Sequence, residues 1–470
     1  MDRSAVSTTP VAGIMASLAL CMLLPSLGTS IANVALPTLA IAFSATFQQV
    51  QWVVLAYLLA TTTLIVSAGR LGDIVGPRRL MLLGILVFTV GSAVAGAASG
   101  LATLIVARAL QGLGAAAMLA LTLAFVSTTI PRPRVGRAIG MLGSLSAVGT
   151  ALGPSLGGVL IATAGWHWIF FINVPLGLLA LVLAARFLPA DPARSDSGLA
   201  RFDLKGTVLL ALALAAYALA MTPGQGAIGY RNAALLVLAT IGVVLFVMVG
   251  KRAEAPLIDL ATLRRPGLVS SLLESALVAT VMMATLIVGP FFLSGGLSLP
   301  TAHVGLVMAV GPAVAALTGV PAGRVVDRFG EQRMTVIGLA GMAVGAMALV
   351  MIPATLGVIG YLLPSILLTG SYALLQTANN TAVMRDVPAD RRGAIGGLLN
   401  LSRNFGLITG TAVLGTVFSL ASRTGDVANP AAIAFGMHVT FAVATGLVAV
   451  ALLIALRSPR SPVSVTANQT

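Results

Sequence analysis

Three ionisable side chains interrupt long apolar stretches of this sequence, and they are the residues best suited to chemistry. Arg108, Glu274 and Arg403 each lie in a tract of about 20 mostly apolar residues. An ionisable group in such surroundings is costly and is a functional candidate by default. Glu274 is the only acid within a tract, so it is either a reversible proton carrier or a polar contact near a tract end. Arg403, in the segment Asn400–Asn404, either balances Glu274 or binds a ligand.

The composition indicates which solvent surrounds these groups. Of 470 residues, 58% are hydrophobic and only 9% are charged, and the mean hydropathy is +1.03. Soluble domains carry about 25% charged residues, so a lipid bilayer is the solvent that fits this chain. The net charge of +14 does not indicate a nucleic-acid partner, because the basic residues form short clusters between apolar runs. The single cysteine, Cys21, excludes a disulfide framework within the chain.

Fourteen apolar tracts are long enough to cross a membrane as helices, which need about 20 residues each. They run over 11–36, 50–69, 80–98, 101–127, 138–162, 168–188, 206–222, 233–250, 268–293, 303–322, 334–352, 355–378, 393–418 and 431–456. Most of the 27 Lys and Arg residues lie in every second loop and near both ends of the chain. The positive-inside rule therefore places both termini in the cytoplasm, and an even number of spans requires the same.

A repeated charged motif divides the chain into two related halves. Gly69–Arg79 follows the second tract and Gly323–Arg333 follows the tenth, with Gly, Arg, Asp, Gly and Arg at matching positions. Duplicated bundles of this kind are how many membrane transporters are built. The predicted organisation is a six-helix bundle at 1–190, two inserted central helices at 191–266, a second six-helix bundle at 267–456 and a cytoplasmic tail at 457–470.

The motif also predicts a device at the helix ends. Its glycines allow a tight turn and close helix approach, and Asp73 can cap a neighbouring helix and accept from an arginine. Such a charge cluster can hold two helix ends together in one conformation and release them in another. The alternative is a simple charged loop. The predicted latch residues are Gly69, Asp73, Gly76 and Arg79, with Asp327 and Arg333 in the second copy.

Four glycines and a proline stand within the fifth tract, in the segment Gly149–Gly158. Gly149, Gly153 and Gly157 recur every four residues and form a smooth stripe on which another helix can pack closely. Pro154 removes one backbone hydrogen bond and permits a bend. A smooth, bendable contact suits two bundles that rock against each other. Ordinary tight packing without motion is the alternative.

These motifs resemble those of the major facilitator superfamily, and in particular its fourteen-span drug:proton antiporter branch. Gly69–Arg79 is similar to the family signature between spans 2 and 3, and Gly149–Gly158 to the antiporter motif of span 5. Further family-like stretches are Arg108–Gly114, which matches R-x-x-Q-G-x-G, Ile31–Pro37 and Trp166–Asn173. The resemblance implies an all-α major facilitator fold in which Arg108 faces the central cavity and takes part in proton coupling. A structural arginine bonded to backbone carbonyls is the alternative.

One position departs from the family's pattern. Related antiporters carry an aspartate in span 1, and the matching position here is Gly28. The missing carboxylate leaves two span arginines, Arg108 and Arg403, against Glu274 alone. We therefore expect neutral or weakly acidic amphipathic compounds to be preferred over dications, which would meet net repulsion.

The sequence thus predicts a multi-pass secondary transporter of the plasma or inner membrane, not an enzyme, which exports small lipophilic compounds in exchange for protons. A gradient-driven uptake carrier or uniporter is the alternative, because the span-1 acid is missing. No nucleotide-binding loop or metal-ligand cluster occurs, so we expect no cofactor and no metal, with the proton gradient as energy source. Candidate polar contacts for substrate, each of which can equally bridge helices, are Asn33, Gln111 and Gln376. We expect a monomer without a nucleic-acid partner.

Overall fold

The computed structural model describes residues 11–191, 203–222, 229–252, 267–385, 387, 392–422 and 429–457. In these ranges the chain forms fourteen long helices and no strand. They are α1 (Val11–Ala42), α2 (Phe47–Val75), α3 (Pro77–Gly96), α4 (Leu101–Thr129), α5 (Arg132–Ala164), α6 (Trp168–Phe171 and Asn173–Phe187), α7 (Leu204–Met221), α8 (Tyr230–Arg252), α9 (Leu268–Phe291), α10 (Thr301–Phe329), α11 (Glu331–Met351), α12 (Gly357–Met384), α13 (Arg392–Thr409, Gly410–Leu414 and Gly415–Ala421) and α14 (Pro430–Arg457).

The predicted all-α fold is confirmed. Thirteen helices in the described ranges are long and apolar enough to cross a membrane. The remaining long helix is α2, which has 29 residues and three glutamines near its start, Gln48, Gln49 and Gln51. Two helices contain a π-helical segment, Phe292–Gly296 at the end of α9 and Gly410–Leu414 within α13.

The helices pack as two groups of six. In the first group, α1 packs against α4, α5 and α6, while α4 also contacts α2 and α3. In the second group, α9 packs against α13 and α14, and α12 contacts α10 and α11. Each group encloses its own buried apolar side chains, for example Leu36 and Phe88 in the first and Leu368 and Phe441 in the second. We call α1–α6 the first bundle and α9–α14 the second bundle.

The inserted helices α7 and α8 pack against each other beside the bundles. The inner helix, α7, contacts both bundles: Ser67 Oγ of α2 lies 2.9 Å from Thr207 Oγ1, and the Tyr217 hydroxyl donates to Thr409 Oγ1 of α13 at 3.0 Å. The pair therefore covers the seam between α2 and α13. Most of the linkers on either side of this pair, and nearly all of the predicted tail 457–470, lie outside the described residues.

One glycine makes each of the two repeated turns. Gly76, with φ 105°, separates α2 from α3, and Gly330, with φ 83°, separates α10 from α11. Side chains disfavour this left-handed region, which explains a glycine at both positions. Gly69 lies inside α2, with no atom within 4 Å of the place where its Cβ would stand. Only the last motif glycine in each copy therefore serves the turn.

The two bundles touch at the end opposite to these turns, which we call the closed end. There the Gln51 Nε2 of α2 donates to the Thr411 carbonyl of α13 at 2.9 Å. The Phe47 ring meets the Phe291 ring edge-on, with centroids 4.7 Å apart. At the other end, which carries the basic loops and is called the basic end below, no hydrogen bond or ion pair between described residues joins the bundles.

Candidate functional site

Arg108 is fully buried inside the first bundle, where α4 faces α1 and α2. Its Nε donates to the Val53 carbonyl at 3.0 Å, and its Nη1 donates to the Gly28 carbonyl at 3.1 Å. Its guanidinium lies 4.3 Å from the centre of the Tyr57 ring, in cation–π contact. A buried cation needs such partners because its desolvation costs several kcal/mol. The contacts match those of a structural arginine bonded to backbone carbonyls.

Related antiporters carry an aspartate at position 28. Here the residue is Gly28, and Arg108 donates to its backbone carbonyl rather than to a carboxylate. Asp73 is the only acid between residues 11 and 190. A Cβ at Gly28 would lie 3.3 Å from Phe88 Cζ, so α3 approaches α1 closely at this point. The acceptors that surround Arg108 are therefore neutral.

Gln111 belongs to the same buried network. Its Oε1 accepts from Arg108 Nη1 at 2.9 Å, and its Nε2 donates to Ser92 Oγ at 2.6 Å. The side chain is fully buried within the first bundle. The amide therefore links α4 to α3, which is the helix-bridging alternative to substrate contact.

The other two polar candidates are placed differently. Asn33 in α1 is 1% exposed, and neither of its amide atoms has a hydrogen-bond partner among the described residues. Asn33 follows Pro25 and Thr29 at four-residue spacing on one face of α1. Gln376 in α12 is half-buried and lies one turn after Tyr372. The structure therefore does not bring Asn33 and Gln376 into one cluster with Gln111.

Glu274 is fully buried in α9 of the second bundle, less than two turns from the start of the helix. Its helix is held from both sides at this level. Asn379 Nδ2 of α12 donates to the Ser271 carbonyl at 3.0 Å, and Ser402 Oγ of α13 donates to the Leu272 carbonyl at 2.5 Å. Three helices of the second bundle therefore meet around this carboxyl.

Arg403 in α13 is half-buried, whereas Arg108 is fully enclosed. It interacts electrostatically with Tyr372 of α12. Its Nε is buried and has no hydrogen-bond partner in the described part of the chain. The ion pairs formed between described residues lie at helix ends and do not include it. Arg403 is therefore the more available of the two span arginines.

A carboxylate caps the start of α3 at the basic end, but it is not the predicted one. Asp191, just after α6, accepts from the backbone N–H of Arg78 at 2.7 Å and of Arg79 at 3.1 Å. Arg79 Nε also lies 3.8 Å from its Oδ2. The first N–H groups of a helix lack partners and carry positive dipole charge, so a carboxylate is favourable there. Asp191 therefore caps α3, and the side chain of Asp73, for which a cap was predicted, lies outside the described residues.

The second copy of the motif uses a different acid again. Asp327 and Arg333 are exposed, and neither enters an ion pair with another described residue. Glu331, in the first turn of α11, instead forms a two-pronged pair with Arg385 after α12, with N–O distances of 2.5 and 2.6 Å. Both copies therefore tie a helix start to the end of another helix within the same bundle.

Replacing Asp191 by Asn is expected to destabilise the protein by about 1 kcal/mol, because the cap loses its charge. Asp203→Asn is the matched control, since Asp203 caps α7 through the Gly206 N–H at 2.7 Å, away from the repeated turns. Thermal unfolding reports how much stability each variant loses with its cap, and the transport rate reports whether the contact acts as a latch. A latch requires slower transport in Asp191→Asn alone. Equal transport rates in the two variants would show that the contact between Asp191 and the start of α3 is only a static cap.

The glycine stripe of α5 packs on α1, inside the first bundle. A Cβ at Gly149 would lie 2.7 Å from the Leu23 carbonyl, and one at Gly157 would lie 2.8 Å from Ile31 Cγ1. Gly153, between them, also faces α1. The stripe therefore sets the spacing of two helices that belong to one bundle, which differs from the predicted contact between bundles.

The contact between bundles is made by the next glycine instead. A Cβ at Gly158 would lie 2.8 Å from the Thr301 carbonyl and 2.9 Å from Gly305 Cα, both in α10 of the second bundle. The Pro154 carbonyl also faces Gly305. At this crossing the two bundles meet backbone against backbone at the closed end.

Several residues of these networks were not predicted, among them Tyr57, Asp191 and Tyr372. Tyr57 and Asp191 carry no signal in the sequence, because only the packing of α2 and α6 brings them to Arg108 and to the start of α3. Tyr372 has one signal, since it stands four residues before Gln376 and shares its helical face.

The sequence of this chain matches the model of a known protein family. Residues 18–411 match the model of the Major Facilitator Superfamily. The chain belongs to this superfamily. It is therefore a multi-pass membrane transporter rather than an enzyme.

Curated members of the superfamily resemble this chain along most of its length. The multidrug resistance protein Stp of Mycobacterium tuberculosis is 34% identical over 396 residues, which cover 83% of this chain and 72% of that protein. The tetracenomycin C resistance and export protein of Streptomyces glaucescens is 31% identical and covers 91% and 80%. The riboflavin transporter RibZ of Clostridioides difficile is 30% identical and covers 84% and 85%.

A solved structure agrees with the superfamily fold. A D-xylose–proton symporter superposes with a TM-score of 0.68 at 14% identity and covers 96% of this chain and 98% of its own. The likeness at this identity concerns the fold alone. It supports the two-bundle arrangement of the transporter described above.

Proposed function

We propose that this transporter exports small lipophilic compounds in exchange for protons, as a member of the fourteen-span drug:proton antiporter branch. The observation that carries the proposal is the position of the hydrogen bonds between the bundles, which among the described residues lie at the closed end. The relatives whose names include multidrug resistance and tetracenomycin C export support the direction of transport. The positive-inside rule supports a cytoplasmic basic end with both termini, so that the structure corresponds to an inward-facing state in the plasma membrane.

Alternating access requires that the two bundles can separate at the closed end, and the contacts between them there are weak enough to allow it. Two side-chain hydrogen bonds join the bundles there, from Gln51 Nε2 to the Thr411 carbonyl and from Gln48 Nε2 to Ser419 Oγ, and each contributes only about 0.5–1.5 kcal/mol. At the Gly158–Gly305 crossing the two backbones approach closely with no side chain on either glycine, which suits a pivot between α5 and α10. Rocking at these points would close the basic end and open the other.

Glu274 is the proposed proton carrier. It is the acid that lies fully buried in a span, and an ionised carboxylate is costly there, so binding a proton relieves a real penalty. Hydrogen bonds from Asn379 and Ser402 tie the carbonyls beside it to α12 and α13. A change of charge at Glu274 would therefore act on three helices at once.

Proteoliposomes with an acidic lumen test this proposal. Radiolabelled chloramphenicol, a neutral probe, is expected to accumulate about ten-fold per pH unit at a one-to-one stoichiometry, and an ionophore that collapses ΔpH should abolish the accumulation. Glu274→Gln is expected to lose ΔpH-driven accumulation but to keep exchange of labelled for unlabelled probe. Asp203→Asn, which alters an acid that caps α7 outside both bundles, is the matched control and should accumulate normally. Entry of the probe only to equal concentrations on the two sides, with or without ΔpH, would refute proton antiport and favour a uniporter or uptake carrier.

A further inference from the structure

Arg403 lies on the sector of α13 that faces the space between the bundles. Gly406 and Gly410 mark the face of α13 that packs on α9, since a Cβ on either would strike that helix. Thr411 and Gly415 mark the face that meets Gln51 of α2. At about 100° per residue up to Gly410, and less per residue through the π-helical Gly410–Leu414, Arg403 falls between these two faces. Its half-buried side chain is therefore accessible from between the bundles rather than from the lipid.

Tyr372 and Gln376 occupy the corresponding sector of α12. Asn379 marks the face of this helix that bonds to α9, and Gly370 marks the face that meets α10. Tyr372 and Gln376 are four residues apart, so they share one face, which adjoins the Asn379 side of the helix and is turned from it toward the Gly370 side. Both side chains are half-buried, and the interaction of Tyr372 with Arg403 links the two sectors.

The guanidinium of Arg403 has donors available for a ligand. Its Nε is buried and unpartnered among the described residues. Arg108 also has an unpartnered nitrogen, Nη2, but its Nε and Nη1 are bonded to helix carbonyls and its side chain is fully enclosed. A guanidinium in water-poor surroundings binds an anionic oxygen through strong, often two-pronged hydrogen bonds. Tyr372 adds a hydroxyl and an aromatic face, and Gln376 adds an amide that can both donate and accept.

We infer that Arg403, Tyr372 and Gln376 form a subsite for the anionic oxygen of an amphipathic aromatic substrate, such as a carboxylate or an ionised phenol. The guanidinium binds the charged oxygen, the tyrosine ring packs against the flat apolar body, and the glutamine orients a neighbouring polar group. This inference rests on the proposed function and deepens it by naming the substrate class. It also gives the expected discrimination against dications a location on the second bundle.

Binding of two matched dyes to the purified full-length protein tests the subsite. Fluorescein and rhodamine 123 share a xanthene skeleton, but the first is anionic and the second is cationic. Fluorescence anisotropy is expected to show tighter binding of fluorescein. Arg403→Gln should weaken fluorescein binding about 10- to 100-fold and leave rhodamine 123 within two-fold, while Arg403→Lys should keep part of the affinity. Arg231→Gln, at the exposed start of α8, should change neither.

Unchanged fluorescein affinity in Arg403→Gln, or a wild-type preference for rhodamine 123, would overturn the subsite. If Arg403→Gln does not fold, Tyr372→Phe and Gln376→Leu serve instead, each with an expected loss of three- to ten-fold for fluorescein only. The dye experiment measures binding without any gradient. Failure of ΔpH-driven transport would therefore defeat the proposed function while this binding preference stands, and the reverse result would defeat the subsite alone.

Discussion

Arg108→Ala is expected to lower the free energy of unfolding by about 4 kcal/mol and to abolish export. The substitution leaves an enclosed void beside Tyr57, and it removes the donor that Gln111 Oε1 accepts from at 2.9 Å. Arg108→Lys should fall between the wild type and Arg108→Ala. One ammonium group cannot reproduce the planar fork that reaches the Val53 and Gly28 carbonyls together.

The protein carries its own reporter for this measurement. Cys21 is the only cysteine and is buried in α1. A thiol-reactive dye therefore gains access to it only when the first bundle opens. Arg108→Ala should lower the midpoint of this transition by about 10 °C or more, and Arg231→Ala should leave it unchanged. An unchanged midpoint together with lost ΔpH coupling would assign Arg108 to the proton path, as the family resemblance implies, rather than to the framework.

The helices and the repeated turns could be predicted from local properties of the chain. An apolar tract of about 20 residues has few structural options in a bilayer, so the hydropathy pattern alone located the spans. The glycines at 76 and 330 mark positions where the backbone needs positive φ, and that requirement is local as well. These features do not depend on which helix lies beside which.

The residues that contact the predicted site residues could not be predicted from such local properties. A cap needs a carboxylate near the start of α3, and the sequence suggests Asp73 because it is close in the chain, whereas Asp191 reaches that point only through the packing of α6. The stripe from Gly149 to Gly157 predicts a closely packed neighbour, but not whether this is α1 or a helix of the other bundle. Likewise, the sequence does not show whether backbone carbonyls enclose a charged residue in a span, as they do for Arg108, or leave it more accessible, as for Arg403.

Gly158→Val is expected to reduce export at least ten-fold while the first bundle stays folded. Its Cβ would stand 2.8 Å from the Thr301 carbonyl and 2.9 Å from Gly305 Cα, closer than real Cβ atoms come to other atoms. The obstructing atoms belong to the backbone of α10, so no side chain can rotate away. α10 must then move away from α5, which opens the closed end and depopulates the inward-facing state that binds substrate from the cytoplasm.

Gly143→Val, in the same helix, separates this effect from the general cost of valine in α5, because no atom lies within 4 Å of its Cβ position. A cysteine placed at Ser419, in a chain with Cys21→Ser, reports the closed end through its reaction with a membrane-impermeant reagent. Labelling should rise in Gly158→Val and stay low in Gly143→Val. If both variants lost export equally without a change in labelling, the loss would come from weakening of the helix, and the seam between α5 and α10 would not be the pivot.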